Sequence, residues 1–480
     1  MSQRPGKQRD RAVESPAKPE HDASELPEGW ASVGLMDVFD IQGGTQPPKK
    51  EFVYEATEGY VRLLQIRDFG EKPVPTFIRM KSTLKACSEA DILIGRYGAS
   101  VGRICTGMAG AYNVALTNVA LTKVVIPDGL DRRFVFYLLK SEIFQRPILD
   151  IERSAQDGFN KDDLAEIRVP IAPLAEQRRI VAKLEELLGK VSSSQQRLSR
   201  VPGLLKRFRQ SVLAAACSGR LTADWREEHD EPDIDNEPTC TTEGLQDIPS
   251  AWLYRRAADV VASGTVISYG IVLPGPNQSE GVPYVRGQDI DDAGRIHVEQ
   301  LWKTTPAIAA KHRRSELLEG DVLLCVIRHL RVAIVPMGLD GAHLTQGTVR
   351  LRPSNKVLGP YLARYLASPQ AQGWMKARYI GMAMPRINVE HARDIPVALP
   401  PLSEQQEIVR RVEKLFAFAD QIEARLTQAQ THIDRLTQSL LRKAFRGELV
   451  PTEHALAAQQ ARDYEPASEL LERLNVGRPS

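Results

Sequence analysis

The 480-residue chain lacks most of the marks of a catalytic, secreted or membrane-spanning protein. It has five cysteines, Cys87, Cys105, Cys217, Cys240 and Cys325. Their number is odd and none forms a CxxC pair, which speaks against a disulfide framework or a zinc site and favours a reducing compartment, the cytoplasm. No apolar run reaches the length of a membrane span. Residues 1–24 are polar, without the apolar stretch of a secretory signal, and are expected to be a disordered tail. A GxxxxGK[ST] phosphate loop is missing; GASVGRI at 98–104 has the glycines without the lysine. The glycine-rich nucleotide fingerprint, the Asn-Pro-Pro-aromatic tetrapeptide of adenine methyltransferases and the HExxH pair are missing too. The acid pairs Asp162-Asp163 and Asp291-Asp292 mean little in a chain with 61 acidic residues. These gaps favour a binding and positioning protein over an enzyme, with no metal or cofactor of its own. An enzyme with an unfamiliar site would be revealed by turnover of the purified chain alone.

An excess of either charge is also missing. The net charge of +2 is far below that of a dedicated non-specific nucleic-acid binder. A basic face remains possible, because acids cluster elsewhere: residues 226–238 hold seven, in a stretch that reads as a solvated linker.

What the chain does have is a repeat. PLAEQRRIVAKLEELL at 173–188 returns as PLSEQQEIVRRVEKLF at 401–416, 228 residues on, with eight of sixteen positions identical. The same offset aligns QSVLAAACSGRL at 210–221 with QSLLRKAFRGEL at 438–449. Two copies of one structural unit follow. Each repeat opens on an extended, proline-containing piece, IRVPIAPL or IPVALPPL. Ser403 and Gln406 form a capping-box pattern in the second copy, where the first has Ala175. Gly219 and Gly447 stand where helix C-caps are expected. Between these marks a heptad seam runs through Ile180, Leu184, Leu187, Val191, Leu198 and Leu205, and through Ile408, Val412, Leu415, Ile422, Leu426, Ile433 and Leu436. It predicts two long helices that pair within the chain as an antiparallel coiled coil. Pro202 predicts a bend or break near Val201 in the first helix only.

Before each helix the sequence alternates short β-like runs with Gly, Pro and Asp breaks, the texture of an α+β domain. The expected fold is therefore two globular mixed α/β domains separated by two long helices. The expected boundaries are a tail at 1–24, a first mixed domain at 25–158, a helical spacer at 159–225 and an acidic linker at 226–246. A second mixed domain at 247–386, a second spacer at 387–452 and a partly helical tail at 453–480 follow. The mixed domains match only loosely: LLQIRDF with YVRGQDI, DILI with DVLL, and 115–118 with 343–346.

The doubled PLxEQxxIVxxxExL motif and its glycine-ended heptad helix resemble the specificity subunits of type I restriction-modification systems. GGTQPP, DILIGRYG, SAQDGFN and MAMPRIN support the resemblance, which covers residues 25 to about 452. It implies two target-recognition domains, each reading half of a split double-stranded DNA site. The helices would hold them apart and dock two methyltransferase subunits, with restriction subunits joining. Catalysis, S-adenosylmethionine, ATP and Mg would belong to those partners. A straight helix from residue 175 to 218 would be about 65 Å long, a scale that can set the spacing of two readers.

Base reading needs Arg, Lys, Asn or Gln on loops, and phosphate contacts need Lys and Arg. The first domain offers Thr45, Gln46, Lys49, Lys50, Arg67, Arg96, Tyr97 and Arg103, with Gln156 and Asn160 at its junction. The second offers Tyr269, Arg286, Gln288, Arg328, His329 and Arg331, with Arg386 and Asn388 at its junction. Asp68 and Asp289 occupy matching places and are expected to cap turns. Glu176-Gln177 and Glu404-Gln405 are taken as exposed helix residues, facing a methyltransferase or favouring the helix dipole. The alternative reading is a coiled-coil protein-interaction adaptor without a DNA role.

Overall fold

The computed structural model describes residues 26–70, 72–112, 121–154, 158–229 and 238–475. The expected N-terminal tail, the middle of the acidic linker, residues 115–118 and Gln156 lie outside them. The chain divides into two compact units, residues 1–197 with 429–480, and residues 198–428. Each unit thus holds one mixed domain, the start of the spacer helix that follows it and the end of the other spacer helix.

In the first unit, strands Asp40–Gly43, Leu121–Val125, Ile92–Gly95 and Ile104–Cys105 lie side by side in that order, all antiparallel. A second sheet orders Phe77–Arg79, Tyr60–Leu64, Gly110–Tyr112 and Ala86–Cys87, with the middle pair parallel. The second unit repeats the plan with fewer strands. Val332–Ile334, Val322–Cys325 and Thr348–Leu351 form one sheet; Trp302–Thr304, Val282–Val285 and His343–Leu344 form the other, again with one parallel pair. The central strands Ile92–Gly95 and Val322–Cys325 are unbroken apolar runs because every residue in them is buried.

A two-stranded ribbon closes each domain. Ala31–Gly34 pairs with Arg168–Ile171, and Leu253–Arg256 pairs with Pro396–Leu399, in the same antiparallel register. The second strand of each ribbon is the proline-containing lead-in to a spacer helix. The spacer helices begin at matching leucines, Leu174 and Leu402. Ser403 therefore lies inside its helix rather than capping it, and Pro401 precedes the first turn instead. The first helix stops at Leu198 and restarts at Val201, whereas the second runs unbroken from Leu402 to Phe445. Pro202 sits in the first turn of the restarted helix, where its missing N–H has no helical partner to lose.

The seam residues Ile180, Leu184, Leu205, Ile408, Val412 and Leu426 are buried; Leu187, Val191, Leu198, Leu415, Ile422 and Ile433 are half-buried. Leu436 is the correction, at 39% exposed. There the inward stripe has passed to Thr437, Leu440, Leu441 and Ala444, because a helix of 3.6 residues per turn drifts off a 3.5-residue repeat. In the first unit Ile180 and Leu184 share a core with Leu441 and Phe445. In the second, Val212, Leu213 and Ala216 share one with Ile408 and Val412. In both, the start of one helix meets the end of the other, so the pairing is antiparallel. The C-terminal segment is more than a tail. It forms helices Glu453–Gln460 and Ala467–Asn475, and Ala467, Leu470 and Leu471 enter the first unit's core.

Candidate nucleic-acid interface

The Glu-Gln pairs are buried, not exposed as the sequence suggested; Glu176, Gln177, Glu404 and Gln405 are all fully enclosed. In the first unit Trp30 Nε1 donates to Glu176 Oε1 at 2.9 Å and the Glu453 amide donates to Oε2 at 2.7 Å. In the second, Trp252 Nε1 donates to Glu404 Oε2 at 2.6 Å, while Thr222 and Arg226 hold Oε1. Arg226, assigned to the acidic linker from its sequence, thus belongs to this clasp. The glutamines do a parallel job. Gln177 accepts from the Asp131 amide and donates to Ala172 O; Gln405 accepts from the Leu358 amide and donates to Pro400 O. Asp131 and Leu358 precede the first turns of helices Arg132–Lys140 and Gly359–Leu366. One dipeptide therefore ties each domain's first strand and a domain helix to the spacer.

Burial raises the Glu176 carboxyl above its ordinary range, against the bonds from the Glu453 amide and Trp30. Burial also pushes Glu453 upward, but bonds from Arg179 at 2.5 Å and Arg462 at 2.6 Å outweigh it and hold that carboxyl low.

With the domains anchored, the loops at the strand ends can be compared. Asp68 accepts from the Gln65 amide and Asp289 from the Arg286 amide, each at 2.8 Å, so both cap turns. The Gly95 amide donates to Arg103 O and the Cys325 amide to Arg331 O, which makes Arg103 and Arg331 equivalent. Their side chains also match: Arg103 donates to Phe69 O, and Arg331 to Ile290 O at 2.9 Å. Phe69 and Ile290 directly follow the capped aspartates. These two arginines tie one loop to the next within each domain. Gly44 and Gly270 are needed for close approach, since a Cβ would lie 2.1 Å from Tyr112 O or 1.8 Å from Leu344 O.

Several other candidates are held internally. Arg96 donates to Phe159 O at 2.7 Å and lies over the Tyr97 ring. Arg67 donates to Thr76 at 3.2 Å, and Thr45 accepts from the Lys85 amide. Arg286 grips Asp289 through two nitrogens and stacks on Trp302 at 4.2 Å. Asn160 and Asn388 cap helices Lys161–Ala165 and Val389–Arg393. Tyr269 is half-buried, and burial raises its phenol against the nearby Arg386. Gln46, Lys49, Lys50, Gln288, Arg328, His329 and Arg386 are exposed. The second domain gathers Arg328 and Arg386, since the Arg328 amide donates to Pro385 O and Ile327 pairs with Arg386. The MAMPRIN stretch that supports the family resemblance forms the adjoining hairpin, and beside the nominated Arg386 it also exposes Met382 and Met384, with Ile380 just before it.

Among the described residues, no group of three or more His, Cys, Asp or Glu is placed to hold a metal ion, and no helix is long and apolar enough to cross a membrane. The fold and its anchored loops define a duplicated binding protein, in which each mixed domain is clasped to paired helix segments.

The family model for the type I restriction modification DNA specificity domain matches residues 27–202 and 261–430. The EcoBI specificity subunit of Escherichia coli is 30% identical over 94% of this chain and 93% of its own length. The EcoKI specificity subunit of Escherichia coli strain K12 is 27% identical over 95% and 97%. A chain from a solved type I R-M system shares the fold, with a TM-score of 0.64 at 20% identity, covering 88% of this chain and 99% of that one. The chain belongs to the family of type I restriction-modification specificity subunits.

Proposed function

We propose that this chain selects the DNA site for a type I restriction-modification complex, each mixed domain reading one half of a gapped, two-part sequence. The observation that carries the reading is the repeated clasp. Glu176 and Glu404 fix equivalent domains to the helix in the same way, while the exposed loop residues differ between the two. A constant mount with variable loops is what two readers of different half-sites require. The spacer helices set the gap and dock two methyltransferase subunits, and restriction subunits complete the assembly. This chain is non-catalytic in that scheme. S-adenosylmethionine, ATP and Mg serve the partner subunits.

Exchanging residues 26–158 for the equivalent domain of a relative tests it. Mapping methylated adenines in a host carrying the hybrid and its methyltransferase should show one half of the motif changed, with the other half and the gap intact. A hybrid that kept its full original specificity would refute the proposal and favour a protein-interaction adaptor.

A further inference from the structure

The central strands Ile92–Gly95 and Val322–Cys325 run into turns that differ in sequence and length but place a left-handed residue at the same distance from the strand. Three residues beyond each strand the chain enters the left-handed region, at Gly98 with φ +56° and at Arg328 with φ +64°. Glycine adopts this conformation freely; for arginine the Cβ crowds the following carbonyl. Among the described residues only one other non-glycine has positive φ, Ala461, and it ends helix Glu453–Gln460. Arg328 ends no helix. Its backbone is over-determined from outside: its amide donates to Pro385 O at 2.7 Å, and the flanking Ile380–Arg386 hairpin closes on itself by two backbone bonds. Strain at an imposed position, where the other copy of the repeat uses glycine, is the mark of a side chain retained for function.

The Arg328 side chain is exposed, and among the described residues it has no hydrogen-bond or ion-pair partner. Arg286 and Arg331 of the same domain are both spent on internal bonds. Arg328 therefore offers a free fork of donors on a rigid turn. Guanine shows two adjacent acceptors, N7 and O6, at its major-groove edge, and a guanidinium fits both at once.

We propose that Arg328 is a specificity-determining residue of the second domain, held at a strained position because it reads a guanine in that domain's half of the site. The inference rests on the DNA-reading role proposed above. The full chain, as wild type, Arg328→Gly and Arg328→Lys, would be co-expressed with its methyltransferase in a host without adenine methylation. Methylated adenines would be mapped, and thermal midpoints of the purified complexes compared. The wild type should show a two-part motif with a required guanine in the half that persists when residues 26–158 are exchanged. Arg328→Gly should lose at least tenfold in discrimination at that one base, keep the other half, and melt at or above the wild-type temperature. Arg328→Lys keeps the charge without the fork, and should still direct methylation while losing most of the discrimination. An unchanged motif in the glycine variant would overturn the inference. So would an even loss at all sequences, which marks a phosphate contact, or a lowered melting temperature, which marks a structural role. A wild type that directs no motif would instead overturn the DNA-reading role itself.

Discussion

The indole Nε1 of Trp252 donates to Oε2 of Glu404 at 2.6 Å, a buried bond between residues 152 positions apart. It joins the start of a mixed domain to the first turn of the helix that follows it. Oε1 of the same carboxylate takes Thr222 and Arg226 from the segment that follows the other helix beyond Cys217. One enclosed charge thus holds three stretches of chain together, and its unit should depend on it.

Glu404→Ala should destabilise the second unit by about 3–5 kcal/mol, because it strands the partly buried Arg226 guanidinium and two further donors. Trp252→Phe keeps an aromatic side chain but loses the indole N–H and the volume of the second ring, and should cost about 1–3 kcal/mol. Urea denaturation of the full chain measures both. Losses below about 1 kcal/mol for both would show that the clasp does not support the unit.

The first unit has the same bond in a different electrostatic setting. Arg226 faces Glu404 directly, whereas Arg179 and Arg462 face Glu453 rather than Glu176. Burial therefore dominates at Glu176 and its folded pKa lies above the ordinary 4.5. A raised carboxyl binds protons more tightly folded than unfolded, so its contribution is full below about pH 4.5 and falls as pH rises through the folded value. Glu453 runs the opposite way: its contribution is present above about 4.5 and is lost as pH falls through its lowered pKa. Glu176→Gln removes only the first effect. Thermal midpoints from pH 4 to 7 should show the wild type losing ground to the variant as pH rises; a difference independent of pH would contradict this assignment.

The clasp also shows where sequence reading stopped. The repeat, the paired helices and the break near Pro202 were legible because periodicity and helix breakers act locally. Glu176 and Glu404 were read as exposed because an acid in a first helical turn is ordinarily solvated. Only tertiary partners far off in sequence make burial tolerable: Trp30 and the Glu453 amide at Glu176, and Trp252, Thr222 and Arg226 at Glu404. Leu436 was misplaced because a heptad count ignores the drift of a real helix. For the candidate readers, sequence could nominate arginines but not tell free from engaged. Arg103 and Arg331 are nominated for DNA contact from their sequence, and only the structure shows that each also bonds internally, to Phe69 O and Ile290 O.

The caps that end the spacer helices allow a sharper test. Gly219 and Gly447 have φ +76° and +72°, and a Cβ would lie 2.4 Å from Pro249 Cγ and 2.3 Å from Pro27 Cγ. Gly447→Ala adds about 1–2 kcal/mol of left-handed strain to about 1–3 kcal/mol of crowding against a rigid ring. Gly189→Ala is the control: that glycine is exposed within helix Leu174–Leu198, with nothing within 4 Å of an added Cβ. It should gain about 1 kcal/mol from helix propensity. Opposite signs in the two denaturation curves are the expected outcome, and equal signs would refute the cap argument.

Pro202 sets the two spacer helices apart. Its own site tolerates it, because the helix has already stopped at Leu198 and the proline occupies the first turn of the next segment. Replacing it removes a restraint on the unfolded chain and restores one orphan N–H, so Pro202→Ala should change stability by less than about 1 kcal/mol. The equivalent position in the second helix is Gln430, exposed on the solvent side of an unbroken segment. A proline there would delete an internal hydrogen bond and clash with the preceding turn. Gln430→Pro should therefore cost about 3 kcal/mol or more, although the same residue type stands at the matching place in the first helix. Circular dichroism at 222 nm with urea denaturation would compare the two variants. Similar costs would mean that the break follows from something other than Pro202. A large cost only at Gln430 would mean that the first helix is built around its interruption and the second around its continuity.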